Sequence, residues 1–254
     1  MSSRLRLRLG SLALLLVLLL TWELASRRLG LSTLVLPPPS MVLKVLVDGL
    51  ASGYFWPHIK STGLALLLGA TLGCLAGFAA GMAMAESKAL RGLMLPYLVV
   101  SQVVPKLALM PLFVMWFGFG ITSTVVITGL ICFFPLMETT MTSLQQVPQE
   151  RLELFRILGA SRIQTLLRLK LPSGLPGILS GLRVAVVLAL VGAVVGEFIG
   201  ASRGLGALII ASQGMMDTPL MFAVLVLIAS LGLLFYQATL LLEKWLLLPY
   251  TRVL

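Results

Sequence analysis

Glu150–Pro172 reads ERLELFRILGASRIQTLLRLKLP, a charged island in an otherwise apolar chain. Its punctuation predicts two short helices joined by a sharp turn. Pro148 suits the first turn of a helix, where a missing N–H costs nothing, and Glu150 in that turn complements the helix dipole. The helix is expected to run to Leu158, with Gly159 at the C′ position that needs a left-handed backbone. Ser161 and Gln164 have the S-x-x-Q spacing of a capping box and start a second helix. That helix is expected to stop before Pro172, because proline steers the preceding residue away from helical angles. Arg151, Arg156, Arg162, Arg168 and Lys170 keep the pair outside lipid.

Around the island the composition is that of an integral membrane protein. Of 254 residues, 59% are hydrophobic and 11% charged, against roughly 25% charged in soluble domains. The net charge of +10 by itself would fit nucleic acid or anionic lipid. No nucleic-acid-binding motif accompanies it, and its distribution along the chain explains it better. Cys74 and Cys132 fall in apolar runs without disulfide or metal spacing and read as small core residues. His58, the only histidine, cannot build a metal site alone.

Upstream of the island, Arg4, Arg6 and Arg8 precede an apolar run from Leu9 to Leu20 that continues to Ala25. Glu23 and Arg27 stand where a cleaved signal would need small residues, so the run reads as an uncleaved first transmembrane helix with Trp22 at its interface. Leu36-Pro37-Pro38-Pro39-Ser40 is a rigid extended break. Ser40 is expected to cap a short amphipathic helix through Leu50, ended by Gly53. Ser61–Ala85 carries no charge over 25 residues, long enough for a hydrocarbon core of about 30 Å. Gly69, Gly73, Gly77 and Gly81 form a small-residue stripe on one face, suited to close helix packing within the subunit. Glu86–Arg91 reads as a turn. Gly92–Phe117 is an irregular span interrupted by Pro96, Pro105 and Pro111. It holds Gln102 and Lys106, candidates for a translocation pathway because an ionisable group at membrane depth is a functional hypothesis. The alternative for Lys106 is snorkelling, or a bond to a carbonyl freed by proline. Ile121–Met137 is a fourth span, with Glu138 marking its exit.

Downstream, Pro176–Gly200 is a fifth span, with Arg183 in its first turns and Glu197 near its far end. The 14-residue gap, about 21 Å along a helix, rules out a direct pair between them. Glu197 joins the pathway candidates, with packing or gating its favoured role. Ala201–Asp217 reads as a connection whose Gly204-Leu205-Gly206 follows a membrane span and is no phosphate loop. Thr218–Leu242 is the sixth span. Six spans place both termini on one side. That side holds Arg4, Arg6, Arg8, Lys88, Arg91, the five cations of the island, Lys244 and Arg252. The other side holds only Arg27, Arg28, Lys44, Lys60 and Arg203. The bias assigns the island and both termini to the cytoplasm.

Glu153, Gly159-Ala160-Ser161 and Leu171-Pro172 resemble the EAA loop of binding-protein-dependent ABC importer permeases, with Leu154 and Phe155 where that pattern has alanines. Pro105-Lys106-Leu107-Ala108-Leu109-Met110-Pro111-Leu112, followed by Trp116-Phe117-Gly118, is similar to a segment of the nitrate/sulfonate/taurine-type subfamily, as are Gly196-Glu197 and the turn at Arg203–Gly206. The resemblance implies an all-α membrane protein with six transmembrane helices, in the type I ABC importer permease fold. Residues 1–60 would form a transmembrane helix and an extracytoplasmic amphipathic segment; residues 61–254 would form the permease core, with a cytoplasmic coupling loop at about 138–175. It implies coupling to an ATPase through Glu153, Leu154, Phe155, Arg156, Gly159, Ala160, Ser161 and Pro172. The implied partners are two ABC ATPase subunits, a second permease copy and an extracytoplasmic solute-binding protein, in a bacterial inner membrane. The implied solutes are sulfonate, taurine, nitrate or similar anions, or else a pyrimidine-type vitamin precursor.

The chain has no G-x-x-x-x-G-K-[ST], so ATP and Mg would be held by the partner. H-E-x-x-H and G-x-S-x-G are also missing, which argues against an enzyme. An ion-coupled carrier or channel, the other class considered, usually needs several buried acids or histidines; Glu197 is the one candidate.

Overall fold

The computed structural model describes residues 3–28 and 32–251; Arg252, one of the cations in the charge count, lies outside them. Among the described residues every regular element is a helix. In order they are α1 (Ser3–Arg28), α2 (Pro39–Ala51), α3 (Trp56–Glu86), α4 (Lys88–Val103), a 3-10 turn at Lys106–Leu109, α5 (Met110–Phe117) and α6 (Ile121–Gln145). Then come α7 (Gln149–Ile157), α8 (Arg162–Thr165), a π-helical segment at Leu166–Lys170, α9 (Leu171–Gly200), α10 (Leu205–Gly214) and α11 (Thr218–Thr251).

The central helix is α6, and glycines decide how tightly it is held. A Cβ on Gly69, Gly73, Gly77 or Gly81 of α3 would come within 3.0 Å of α6 atoms, mostly backbone carbonyls of Gly129, Phe133 and Met137. On a neighbouring face of α6, a Cβ on Gly177 or Gly181 of α9 would run into Ser143 and Thr139. Two rows of hydrogens thus let three backbones approach one another, the usual solution where lipid supplies no hydrophobic drive between helices. Buried Leu66, Cys132, Leu136, Ala185, Ala189 and Ala193 fill the seam. The glycine stripe packs within the subunit, as its spacing predicts.

Five described helical segments are long and apolar enough to cross a membrane: Leu9–Arg28, Trp56–Glu86, Ile121–Gln145, Arg162–Gly200 and Thr218–Leu248. The pair Lys88–Val103 and Lys106–Phe117, bent by 82°, is a sixth candidate or a re-entrant loop. Contacts at the two ends of the bundle decide between these. At one end Lys170, where the α9 span begins, pairs with Glu86 at the end of α3 at 2.6 Å. At the other, Gly120 N–H, just before α6, donates to Gly200 O at the end of α9 (2.5 Å), and Thr62 near the start of α3 meets Glu197 of α9. The bent pair leaves the Glu86 end and arrives at the Gly120 end. It therefore crosses once, making six crossings.

Several element bounds differ from the sequence-based expectation. The helix that carries the fifth span begins at Arg162, well ahead of Pro176, and does not stop before Pro172. Leu171 N–H donates to Leu166 O, five residues back. This widened turn makes room ahead of the proline ring, which lacks a donor and would crowd the carbonyl four residues earlier. α6 continues past Glu138 to Gln145. Ser40 does not cap α2; that helix starts at Pro39 after Pro38. Instead Glu23 of α1 accepts the Ser40 N–H (3.0 Å) and hydroxyl (2.8 Å), capping α2 from another helix. The connection at Ala201–Asp217 contains α10, whose Leu205 and Leu208 are buried with Val42 and Phe55. Residue 60 lies inside α3, and Val42, Phe55 and Ile59 pack in one cluster with Leu205 and Leu208.

Candidate functional site

The charged island forms the predicted elbow. α7 has Pro148 at its N-cap and Glu150 in its first turn. At its end Gly159 N–H donates to Arg156 O and Ala160 N–H to Phe155 O, both 3.0 Å, with Gly159 at φ +70°. This is the Schellman pattern, and it needs the left-handed backbone that glycine supplies freely. The capping box is complete: Gln164 N–H donates to the Ser161 hydroxyl (3.2 Å) and Ser161 N–H to the Gln164 side-chain oxygen (2.8 Å). The elbow leaves apolar groups uncovered. Leu154 is 54% exposed, Ile157 82%, Leu158 71% and Ile163 68%. Of these only Leu154 is marked by its place in the loop pattern. The other three lie outside the motif, but their apolar character between arginines is a readable signal. Phe155 and Ala160 are half-buried, and Glu153 is exposed without a hydrogen bond or ion pair among the described residues. Glu153 therefore caps neither helix. Pro172 sits at the head of α9, after the π-helical segment.

A cleft of about 440 Å³ opens between the bent pair, α6 and α9, lined by Gln102, Lys106, Phe134, Glu138, Thr139 and Val184 among others. The break at Val104-Pro105 turns the chain so that Lys106 Nζ lies over the Phe134 ring, 4.6 Å from its centroid, a cation–π contact. Gln102 and Lys106 thus share one cavity. Glu138, expected to mark the end of a span, lines it too, because α6 runs on past it.

Glu197 is not in that cleft. It is 1% exposed, and the Thr62 hydroxyl donates to both its oxygens (2.8 and 2.9 Å). Gly206 N–H donates to it as well (2.8 Å). The Thr62 oxygen in turn accepts from Leu205 N–H (2.8 Å), and Gly204 N–H donates to His58 Nδ1 (3.2 Å). Gly204, at φ +140°, has no room for a Cβ beside the Glu197 carboxylate. The carboxylate fastens the turn before α10 to α3 and α9. Thr62 and His58 carry this clip, and neither stands out by sequence spacing.

A six-crossing helical bundle with a polar elbow at one end and, in its side, a largely apolar cleft holding a few polar groups is the build of a membrane permease. Residues 69–247 match the family described as binding-protein-dependent transport system inner membrane component, and the chain belongs to that family. It is 36% identical over 237 residues to the formylaminopyrimidine transport permease protein ThiX of Halalkalibacterium halodurans, covering 93% of this chain and 94% of that protein. It is 33% identical over 239 residues to the taurine transport system permease protein TauC of Escherichia coli (92% and 86%). These likenesses place it with the nitrate/sulfonate/taurine-type importer permeases. A solved structure of the MetNI methionine ABC transporter in inward-facing conformations shares its fold, with a TM-score of 0.56 at 18% identity over 75% of this chain and 93% of that one. The chain is thus an ABC importer permease subunit of the type I fold.

Proposed function

We propose that the chain, paired with a second copy, carries a small solute delivered by an extracytoplasmic binding protein, and that its α7–α8 elbow docks into a separate cytoplasmic ATPase holding ATP and Mg. The observation that carries this is the exposure of Leu154, Ile157, Leu158 and Ile163 on a rigidly capped turn. Apolar side chains clustered outside lipid mark a surface that a partner covers. ATP-driven closure of the ATPase pushes the two elbows, and the continuous helical stretch Arg162–Gly200, which ends in α9, passes that movement into the bundle. The cleft then faces alternately outward and inward.

The cleft chemistry supports an anionic or dipolar solute such as taurine or another sulfonate. Lys106 supplies a cation, and Glu138 and Gln102 supply acceptors for a second, cationic end. A bare anion such as nitrate leaves Glu138 unanswered. The likeness to ThiX favours a second reading, a formylaminopyrimidine-type solute stacking in the same cleft. The ligand bound by the partner binding protein, measured by calorimetry, decides between them.

The elbow is tested by exchanging its hinge. Nothing lies within 4 Å of a Cβ built on Gly159, so a substitution there is resisted by backbone alone, at roughly 1–2 kcal/mol for a residue that avoids left-handed angles. In proteoliposomes containing ATPase and binding protein, Gly159→Val is expected to insert normally but lose most solute-stimulated ATPase activity and transport. Gly159→Asn, which tolerates φ > 0, is expected to retain them. Normal transport by the valine variant means the elbow is not the lever.

A further inference from the structure

A second cavity, of about 410 Å³ and mostly polar, lies in the inner angle of the elbow, beside Glu86 at the end of α3. Its walls include Glu86, Gln149, Arg156, Arg162 and Lys170. Glu86 and Lys170 satisfy each other at 2.6 Å, with side chains 27% and 18% exposed. The cavity's remaining charge is the two guanidinium groups of Arg156 and Arg162. Neither has a hydrogen-bond or ion-pair partner among the described residues, and the Gly159 turn brings them to one opening from different helices. Two unanswered planar forks of donors around one space match the oxygens of a phosphate. The depth is also informative. The run from Ser61 to Ala85 is uncharged and Glu86 is the first charge after it, so the cavity sits at the level of lipid headgroups.

We propose that this cavity is a binding site for a phosphate-type anion, tying the elbow to the end of α3. The phosphodiester of an anionic phospholipid and free phosphate present the same oxygens, and they are separated by experiment. The full-length purified permease, without ATPase, is titrated at constant ionic strength with short-chain phosphatidylglycerol, with the matching phosphatidylcholine, and with inorganic phosphate. Thermal unfolding is followed throughout. A saturable rise in Tm is expected with phosphatidylglycerol and not with phosphatidylcholine; a similar rise with phosphate shows that the free anion suffices. The Arg156→Gln/Arg162→Gln variant is expected to bind roughly tenfold more weakly or worse. Arg151→Gln/Arg168→Gln, with the same charge loss away from the cavity, is expected to bind as the parent does. Glu86→Gln, which frees Lys170 to face the anion, is expected to bind more tightly. The proposal is overturned if neither phosphatidylglycerol nor phosphate stabilises the protein, if phosphatidylcholine does so equally, or if the two double variants weaken binding alike. With no ATPase in the assay, the outcome is independent of the elbow's coupling role.

Discussion

At Gly73 a side chain would run into the carbonyl of Gly129, and at Gly63, ten residues earlier on the same helix, it would meet nothing within 4 Å. The pair separates packing from propensity. Gly73→Leu forces backbone against backbone and is expected to cost at least the 1–3 kcal/mol or so of an overpacked core, seen as lost expression or a sharply lower Tm in detergent. Gly63→Ala is expected to raise Tm slightly, since alanine in a helix interior is favoured by about 0.5–1 kcal/mol. The Glu197 clip gives a second residue-level test. Thr62→Val removes a donor from a buried carboxylate and an acceptor from Leu205 N–H, and is expected to destabilise by about 2–4 kcal/mol. Thr62→Ser keeps the hydroxyl and is expected to melt close to the parent. Glu197 is conspicuous in the sequence as a charge late in an apolar run. Its partner is not, because Thr62 is one polar residue in a span 135 positions away, and no local rule links the two.

The elements were legible where their chemistry is local. The elbow could be read because the proline, glycine and S-x-x-Q signals act within a turn of where they stand, and α3's glycine stripe because a four-residue period needs no partner to be recognised. The π-helical segment could not, since a proline can end the helix before it or be met by a widened turn, and no local signal chooses between the two. The cleft was half legible: Lys106 and Gln102 announce themselves at membrane depth, whereas Glu138 looks like the end of a helix that in fact continues. The π segment carries a prediction of its own. If Pro172 maintains it, Pro172→Ala permits a regular turn, rotating the elbow about the α9 axis by up to the roughly 100° of one helical residue. Glu86 and Lys170 then separate. A Glu86→Cys/Lys170→Cys pair, whose thiols replace two long side chains meeting at their tips, is expected to be joined by a short bifunctional thiol cross-linker in the parent background and poorly with Pro172→Ala. Equal cross-linking in both means the widened turn does not depend on the proline.

For the whole molecule, the end-to-end contacts and the charge bias bear on one question from different directions. Glu86–Lys170 and Gly120–Gly200 fix which helix ends lie together, with no reference to charge. The excess of arginine and lysine predicts which of those ends faces the cytoplasm, with no reference to contacts. Together they require that the elbow and the turn between α2 and α3 lie on opposite sides of the membrane, because α3 crosses once between them. Tyr54, 46% exposed, marks that turn, and Ile157, 82% exposed, marks the elbow. The two native cysteines, Cys74 and Cys132, are buried, so a single introduced thiol gives a clean signal. In intact cells a membrane-impermeant maleimide is expected to label Tyr54→Cys and to spare Ile157→Cys, and permeabilisation is expected to expose the second. An additional crossing, or a re-entrant α4–α5 pair, would put both positions on one side. Labelling of Ile157→Cys from outside would reverse the orientation and remove the elbow from any cytoplasmic ATPase, whatever its shape.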